Sequence, residues 1–387
     1  MKRINSIDTA RGFVMVIMAL DHVRDFLHTT SASQDPLNLH TTTAIIFLTR
    51  WITHVCAPTF VFLSGISAYL YFKKSCNLPQ SRKFFFTRGI WLVVLECTLI
   101  NFALWYDFRF RLLIFEVIGA IGLSFIVLSF LLRVPSGVIG LTGVIITFAH
   151  NLFQSIPTPA QPVMEFLTSV LFRPNLIQLS PGSAFFTAYP LVPWLGIMLA
   201  GFGFGKLFEM EQHLRKKSFL ITGFSILSLF ILLRVLNIYG DPVKWEVQKT
   251  SLFTILSFIN VTKYPPSLLF SLLFIGITMW VLYFSETGWN RITEFLSVYG
   301  RVPLFYFVIH LFMIHGLMFI ILYIQGFTNS DFVFGAFKNG RPEAANGVNL
   351  GIVYLIWIAV ALILYPVCKW YGDYKSRNSQ NKFLRYL

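Results

Sequence analysis

Long apolar runs dominate the chain, and short polar segments separate them. A helix needs about 20 apolar residues to cross the hydrocarbon core of a bilayer. Ten runs approach this length, so the pattern predicts an all-α, polytopic membrane bundle of about ten transmembrane helices. The predicted spans are residues 9–27, 55–72, 86–105, 112–132, 136–154, 186–205, 218–238, 265–284, 302–324 and 350–370.

Composition supports the membrane class. The chain is 56% hydrophobic and 12% charged, whereas soluble domains carry about 25% charged residues. We see no composition shift that would mark a soluble domain, so residues 1–387 are expected to form a single domain. The N-terminal sequence shows no cleavage site after its first apolar stretch, so we expect the first helix to act as a signal anchor.

Basic residues fall mainly in alternate gaps between the predicted spans. Residues 28–42 contain no Lys or Arg, and residues 155–185 contain only Arg173. Since cytoplasmic loops are enriched in Lys and Arg, the bundle is expected to be N-in and C-in, in a bacterial inner membrane. The predicted cytoplasmic gaps contain Lys73, Lys74, Arg82, Lys83, Lys206, Arg215, Lys216 and Lys217. This basic rim indicates contact with anionic lipid head groups, and no nucleic-acid partner is expected.

The first predicted span contains ionisable residues, which are costly in hydrocarbon unless they are paired or face a wet cavity. Arg11 and His22 are eleven positions apart, about 16 Å along a helix and within about 20° of whole turns, so they share one face. The N-in orientation places Arg11 at the cytoplasmic mouth and His22 in the outer half. Asp21 is placed to orient or tune a nearby group. The alternative is an interfacial structural Arg and a buried, hydrogen-bonded His.

Other predicted spans also contain candidate residues. His54 stands at the outer start of the second span, where a single His is usually structural. His310 and His315 are five positions apart and point about 140° away from each other, so they do not both face one cavity. Arg301 marks the cytoplasmic end of the same span. For the remaining intramembrane charges, which are Glu96, Glu116 and Arg234, structural ion pairing is the default expectation.

Two function classes fit a cytoplasmic Arg with a His nearer the outside. The first is transfer of an acyl group across the membrane, in which Arg and Lys hold the phosphates of acyl-CoA and a neutral His takes a proton or carries the acyl group. The alternative is a proton-coupled small-solute transporter, although paired halves with broken helices are not visible. A membrane scaffold without chemistry is a third reading. Cysteine spacing and short motifs indicate neither a disulfide nor a metal site.

Four motifs in chain order resemble those of the heparan-alpha-glucosaminide N-acetyltransferase catalytic-domain family. They are RINSIDTARGFVMVIMALDH, THVCAPTFVFLSGISAYL, YPLVPWLGIMLAGFGFG and YGRVPLFYFVIHLFMIH. The Arg-x10-His spacing of Arg11 and His22 also resembles that of O-antigen-type membrane acyltransferases. The resemblance implies a ten-helix acyltransferase core that moves acetyl from cytoplasmic acetyl-CoA to a sugar on the far side. The acceptor stays open among a glucosamine amine, a glycan hydroxyl and a small periplasmic amine.

The resulting hypothesis is an integral membrane acyltransferase. His22 is the candidate general base, Asp21 is the candidate that orients or tunes a nearby group, and His54 and His310 are further catalytic candidates for handling the acceptor. Arg11 and Arg301 are the candidate binding residues for the donor acetyl-CoA, and no metal is expected. The expected partners are a sugar or glycan acceptor and membrane lipids, and a homodimer is allowed for.

Overall fold

The computed structural model describes residues 4–31, 33–155, 159–286, 288, 290–378, 380–381 and 384. The described part is an all-α bundle with two small β-sheets. The helices are α1 (Asn5–Leu27), α2 (Ala44–Thr53), α3 (Cys56–Ser75), α4 (Leu78–Leu95), α5 (Asn101–Trp105), α6 (Val117–Leu131), α7 (Ser136–Ala149), α8 (Pro162–Leu171), α9 (Leu191–Phe204), α10 (Gln212–Leu236), α11 (Ser251–Ile259), α12 (Leu268–Ser285), α13 (Arg291–Arg301), α14 (Pro303–Ile324) and α15 (Leu350–Arg377).

Within the described residues, eight helical stretches are long and apolar enough to cross a membrane. Each of the ten predicted spans contains a helix, but α1 lies outside this set because it carries five charged residues, and α6 because it has only 15 residues. The chain is therefore a polytopic helical membrane protein. The eight stretches are Ala44–Ser75, Leu78–Trp105, Ser136–Phe153, Leu191–Glu209, Gln212–Leu236, Leu268–Ser285, Pro303–Ile324 and Leu350–Arg377.

The small sheet corrects the predicted limits of two spans. The strands are β1 (Leu112–Phe115), β2 (Asn175–Ser180), β3 (Ser183–Thr187), β4 (Phe334–Gly335) and β5 (Lys338–Asn339). The predicted span 112–132 begins as β1, which pairs in parallel with β3, and the helix of the predicted span 186–205 begins only at Leu191. Hydropathy does not distinguish a short apolar strand from the first turn of a helix. β3 also pairs antiparallel with β2, which lies within the predicted gap of residues 155–185.

Two buried charges bind backbone groups, where the sequence predicted ion pairs. Glu96 lies in a π-helical turn and accepts hydrogen bonds from the amides of Glu116 (3.0 Å) and Gly119 (3.2 Å), so it caps the start of α6. Arg234 donates to four carbonyl oxygens around the end of α11, at 2.8–3.0 Å. Both side chains therefore satisfy helix ends and connections.

Helix α1 is central, since it packs against α2, α3, α12, α13, α14 and α15. It meets α13 at backbone contact: a Cβ atom on Gly12 would lie 1.7 Å from the Leu296 carbonyl oxygen, and one on Gly300 would lie 1.8 Å from that of Asp8. Only glycine fits at either position. This contact holds the first half of α1, which is predicted to face the cytoplasm, against α13, the helix that leads into α14.

The helix ends that carry the predicted cytoplasmic basic residues meet on one side of the bundle. Arg215 at the start of α10 forms an ion pair with Glu286 at the end of α12, and Ser6 of α1 donates to the same carboxylate at 2.7 Å. Lys73 at the end of α3 pairs with Glu209 after α9, at 3.2 Å. We refer to this side as the basic end. The N-in, C-in orientation across a membrane stays a prediction.

Candidate active site

A cavity of about 320 Å³ opens at the basic end between α1, α3, α4, α6 and α14. Its walls are mostly apolar, from residues such as Phe60, Leu92 and Ile121. Four cationic side chains also line it, Arg11, Arg88, Arg301 and Lys375. Cations beside an apolar chamber suit a ligand with an anionic head and an apolar or neutral arm.

A second hollow of about 490 Å³ adjoins the first, since both are lined by Tyr71 and Lys375. Lys74 and Gln80 contribute to its wall. The two adjoining hollows together form a basic recess on one side of the bundle. We call the first hollow the inner cavity and the second the outer hollow.

Arg11 is held at the wall of the inner cavity by contacts from three directions. Its guanidinium donates to the Ser67 hydroxyl at 2.5 Å and to the Gly300 carbonyl oxygen at 3.4 Å, and it lies 3.6 Å from the Asp8 carboxylate. Ser67 belongs to α3 and Gly300 to α13. The close α1–α13 contact therefore positions a side chain of the cavity.

Arg301 ends α13, and only Val302 separates it from Pro303, the first residue of α14. Its Nε atom is buried and has no hydrogen-bond partner among the described residues. The structure thus brings both arginines that the sequence singled out, Arg11 and Arg301, to one cavity. The sequence analysis did not single out Arg88 or Lys375. For Arg88 the signal was available, because this residue lies inside a predicted apolar span.

His22 and His310 face each other, with ring centroids 5.1 Å apart. The Nδ1 atom of His310 lies 3.0 Å from the Tyr306 carbonyl oxygen, which can only accept a hydrogen bond. A neutral His310 therefore carries its proton on Nδ1, and its Nε2 has no partner among the described residues and is free to accept a proton. Sequence analysis singled out both histidines but could not predict their contact, since the spacing of residues along the chain does not show which side chains of α1 and α14 meet.

Phe307 connects the cavity to this histidine pair. Its ring lines the inner cavity, and its centroid lies 6.5 Å from that of His22 and 5.7 Å from that of His310. The inner cavity therefore reaches one aromatic ring short of the two imidazoles. Sequence reasoning missed Phe307, because nothing in the sequence distinguishes it from the other phenylalanines, of which the chain has 42 in all.

Asp21 belongs to a network of charges that joins α1 to α2. Its carboxylate forms ion pairs with Arg50 and, at 3.2 Å, with Arg24, while Arg24 also contacts Asp25 at 2.5 Å. Two carboxylates and two guanidinium groups balance each other here. The contacts of Asp21 are thus with arginines, and its proposed effect on a neighbouring imidazole stays a prediction.

The structure does not bring His54 or His315 to the histidine pair. His54 lies in the break between α2 and α3, is 1% exposed, and packs its ring 5.8 Å from those of Phe270 and Phe274. Neither of its ring nitrogens has a partner among the described residues. His315 lies between the carbonyl oxygens of Ala103 and Asn339, at 2.8 Å each. The described residues contain no group of three or more potential metal ligands.

Comparison with known proteins agrees with the chemistry of this recess. The sequence profile described as heparan-alpha-glucosaminide N-acetyltransferase, catalytic, matches residues 3–239, more than half of the chain. No curated protein matches the chain. The matched region contains Arg11, His22 and most of the wall of the inner cavity. The protein therefore belongs to the heparan-alpha-glucosaminide N-acetyltransferase catalytic family, a family of membrane acetyltransferases.

Proposed function

We propose that this protein transfers an acetyl group from cytoplasmic acetyl-CoA to an amino sugar or glycan on the opposite side of a bacterial inner membrane. One observation carries the proposal: a cavity lined by four cationic side chains also has Phe307 in its wall, and the ring of Phe307 lies beside the His22–His310 pair. Family membership supports acetyl-CoA as the donor. The side of the membrane follows from the Lys and Arg distribution.

The recess suits the parts of the donor in their chemical order. The pantetheine arm and the thioester are slender and largely uncharged, and they fit the inner cavity, whose volume is at the low end of small-ligand pockets, about 300–1,000 Å³. The phosphates and adenine would occupy the basic outer hollow. Arg11 and Arg301 would bind phosphate oxygens or the carbonyl groups of the arm through charge-assisted hydrogen bonds.

His22 is the proposed general base. The acceptor nitrogen or oxygen attacks the thioester carbonyl carbon and loses its proton to the imidazole. The carbon–sulfur bond then breaks, and the imidazole returns the proton to the sulfur, so that CoA leaves as a thiol. His310 packs beside His22 without a described hydrogen bond between the two rings, so a water molecule or the acceptor itself would have to connect its free Nε2 to His22. A variant of this route, in which a histidine carries the acetyl group itself, has the same balance of atoms.

The test is acetyl transfer by the purified protein in detergent. We expect binding of acetyl-CoA by calorimetry and acetylation of glucosamine, and we expect His22→Ala to reduce transfer by at least 100-fold while acetyl-CoA binding persists, since general-base catalysis contributes about 10²–10⁴-fold. His213→Ala is the matched control, because His213 is exposed at the start of α10. Full activity of His22→Ala would overturn the assignment of the base.

A further inference from the structure

A groove of about 700 Å³ lies on the outside of the bundle, between α7 and α10, with α9 at its floor. It is separate from the basic recess, because the two have no lining residue in common within the described part of the chain. At the floor, α7 and α9 touch through glycine: a Cβ atom on Gly203 would lie 2.6 Å from the Cα atom of Gly140. Since α10 packs on α12 instead, a gap remains between α7 and α10.

The walls of this groove are apolar and face the surroundings of the bundle. Both α7 and α10 belong to the stretches that are long and apolar enough to cross a membrane. Leu141, Val144 and Ile221, which line the groove, are exposed on these helices. Lipid chains are as apolar as such side chains and surround a membrane-spanning helix. An acyl chain therefore suits the space between α7 and α10.

The groove has cationic side chains where it reaches the basic end. Lys206 is exposed and lines the groove. Lys217 is also exposed, and it lies one turn before Ile221 on the same face of α10. Neither lysine forms an ion pair with another described residue. Lys216, by contrast, has its Nζ atom 4.8 Å from the ring centroid of Tyr283 on α12, so Lys206 and Lys217 are the cations beside the groove.

The acidic residue of the lining, Glu209, is engaged by another helix. Its carboxylate accepts a hydrogen bond from the Tyr69 hydroxyl and pairs with Lys73 at 3.2 Å, and both partners belong to α3. Lys73 thus balances the charge of Glu209, and the two groove lysines leave an excess of positive charge at the mouth. A ligand with an anionic head and an apolar tail complements this combination of charge and shape.

We propose that the groove binds one anionic phospholipid from the leaflet at the basic end, with its phosphate at Lys206 and Lys217. One acyl chain would lie along Leu141, Val144 and Ile221. A basic rim by itself attracts anionic head groups without fixing their position. The groove would fix one lipid, because its apolar walls begin where the two lysines stand. This lipid site is independent of acetyl transfer.

Native mass spectrometry of the detergent-purified full chain tests the lipid site. The probes are phosphatidylglycerol, which is anionic, and phosphatidylcholine with the same acyl chains, which is neutral overall. We expect one phosphatidylglycerol per chain to bind about tenfold more tightly than phosphatidylcholine, as expected for two lysines near an anionic head group. The preference should weaken as salt is added.

The double variant Lys206→Gln/Lys217→Gln should lose this preference. The matched control is Lys83→Gln/Lys244→Gln, which removes the same charge elsewhere. Lys83 is exposed on α4 near the basic end, and Lys244 is exposed in the connection between α10 and α11.

Gly137→Leu tests the apolar part of the groove. Gly137 lines the groove, and a Cβ atom added there meets nothing within 4 Å, so the new side chain enters the groove without displacing other residues. We expect binding of both lipids to weaken about tenfold, because the acyl chain loses apolar surface that it buries. Gly316→Leu on α14 is the control, since its added Cβ atom is equally open.

Three outcomes would overturn the lipid site: equal binding of the two lipids by the wild type, an unchanged preference in a folded Lys206→Gln/Lys217→Gln variant, or unchanged lipid binding in Gly137→Leu. The Tm of each variant shows whether it is folded. A single cysteine at Ile221 that cross-links two chains through the groove would also overturn it, because a second copy would then be the occupant.

Discussion

At the scale of single residues, Phe307 stands out because it touches both the inner cavity and the histidine pair. It is 5% exposed, and its ring separates the inner cavity from His22 and His310. If the thioester reaches the histidine pair, its acyl group lies next to the Phe307 ring, and this ring leaves little room for a chain longer than acetyl. Phe307 is therefore the side chain expected to set the acyl length.

Phe307→Ala should broaden the range of donors. Removing the ring opens space at the deep end of the cavity, so we expect the ratio of kcat/KM for butyryl-CoA to that for acetyl-CoA to rise about tenfold or more, within the 10–200-fold typical of pocket-size changes. Phe125→Ala is the matched control, since Phe125 also lines the cavity and is similarly buried. An unchanged ratio in Phe307→Ala would exclude this role.

Arg301 offers a prediction about the donor alone. Its buried Nε lacks a partner among the described residues, so a phosphate or carbonyl oxygen of the donor would satisfy it. We expect Arg301→Gln to weaken acetyl-CoA binding about 10- to 100-fold, because hydrogen bonds to charged groups contribute about 1.5–3 kcal/mol. The control is Arg291→Gln at the exposed start of α13. Calorimetry gives the dissociation constant of acetyl-CoA for the wild type and for each variant. Equal values for the wild type and Arg301→Gln would contradict the assignment.

At the scale of elements, the α1–α13 contact determines where the donor residues stand. Arg11 contacts Gly300, and Arg301 follows it directly, so one helix crossing positions both arginines. Neither helix approaches as closely without its glycine. The arrangement of the cavity therefore depends on two residues that carry no side chain.

Gly300→Ala should consequently impair both stability and donor binding. The new methyl group would meet the Asp8 carbonyl oxygen at 1.8 Å, so the helices must separate. We expect a loss of about 1–3 kcal/mol, as for other overpacked sites, seen as a lower Tm, together with a raised KM for acetyl-CoA. Gly316→Ala on α14 is the control, because nothing lies within 4 Å of its added carbon. A raised Tm or unchanged KM in Gly300→Ala would refute this account.

Among the helices and their contacts, only some could be predicted from the periodicity and hydropathy of the sequence. The α1 helix and the shared location of Arg11 and Arg301 at one end follow from hydropathy, helical phase and flanking residues. Helices α2, α8, α11 and α13 were not predicted, because they are too short to give a clear hydropathy signal. They depend on contacts between distant parts of the chain, such as the hydrogen bond from Trp51 of α2 to the carbonyl oxygen of Ile259 in α11. Long-range contacts such as that of His22 with His310 leave no local signal, so the sequence could name these residues without pairing them.

At the scale of the whole molecule, the basic end gives the bundle a direction. The ion pairs of Arg215 with Glu286 and of Lys73 with Glu209 place segments far apart in sequence on the same side. The Asp21–Arg50 ion pair, near the last turn of α1, lies at the other end. The recess lies at the basic end, which is the side proposed to face the cytoplasm and its acetyl-CoA.

Orientation is testable in cells. We expect a fluorescent reporter at the C-terminus to be active in the cytoplasm, and a single cysteine at Lys244 to react with a membrane-impermeant maleimide added from outside. A single cysteine at Lys216 serves as the control and should react only after the membrane is opened. External labelling at position 216 but not at position 244 would reverse the orientation and exclude a cytoplasmic donor.

The position of Phe307 between the inner cavity and the histidine pair has a consequence for the membrane. A passage open from one side of the membrane to the other would dissipate the proton-motive force of a cell. In the proposed reaction, the ring of Phe307, which lines the inner cavity and lies beside both imidazoles, would keep such a passage closed, and only the acetyl group would pass it. The enzyme would thus move a chemical group across an energised membrane while vesicles that contain it stay tight to ions.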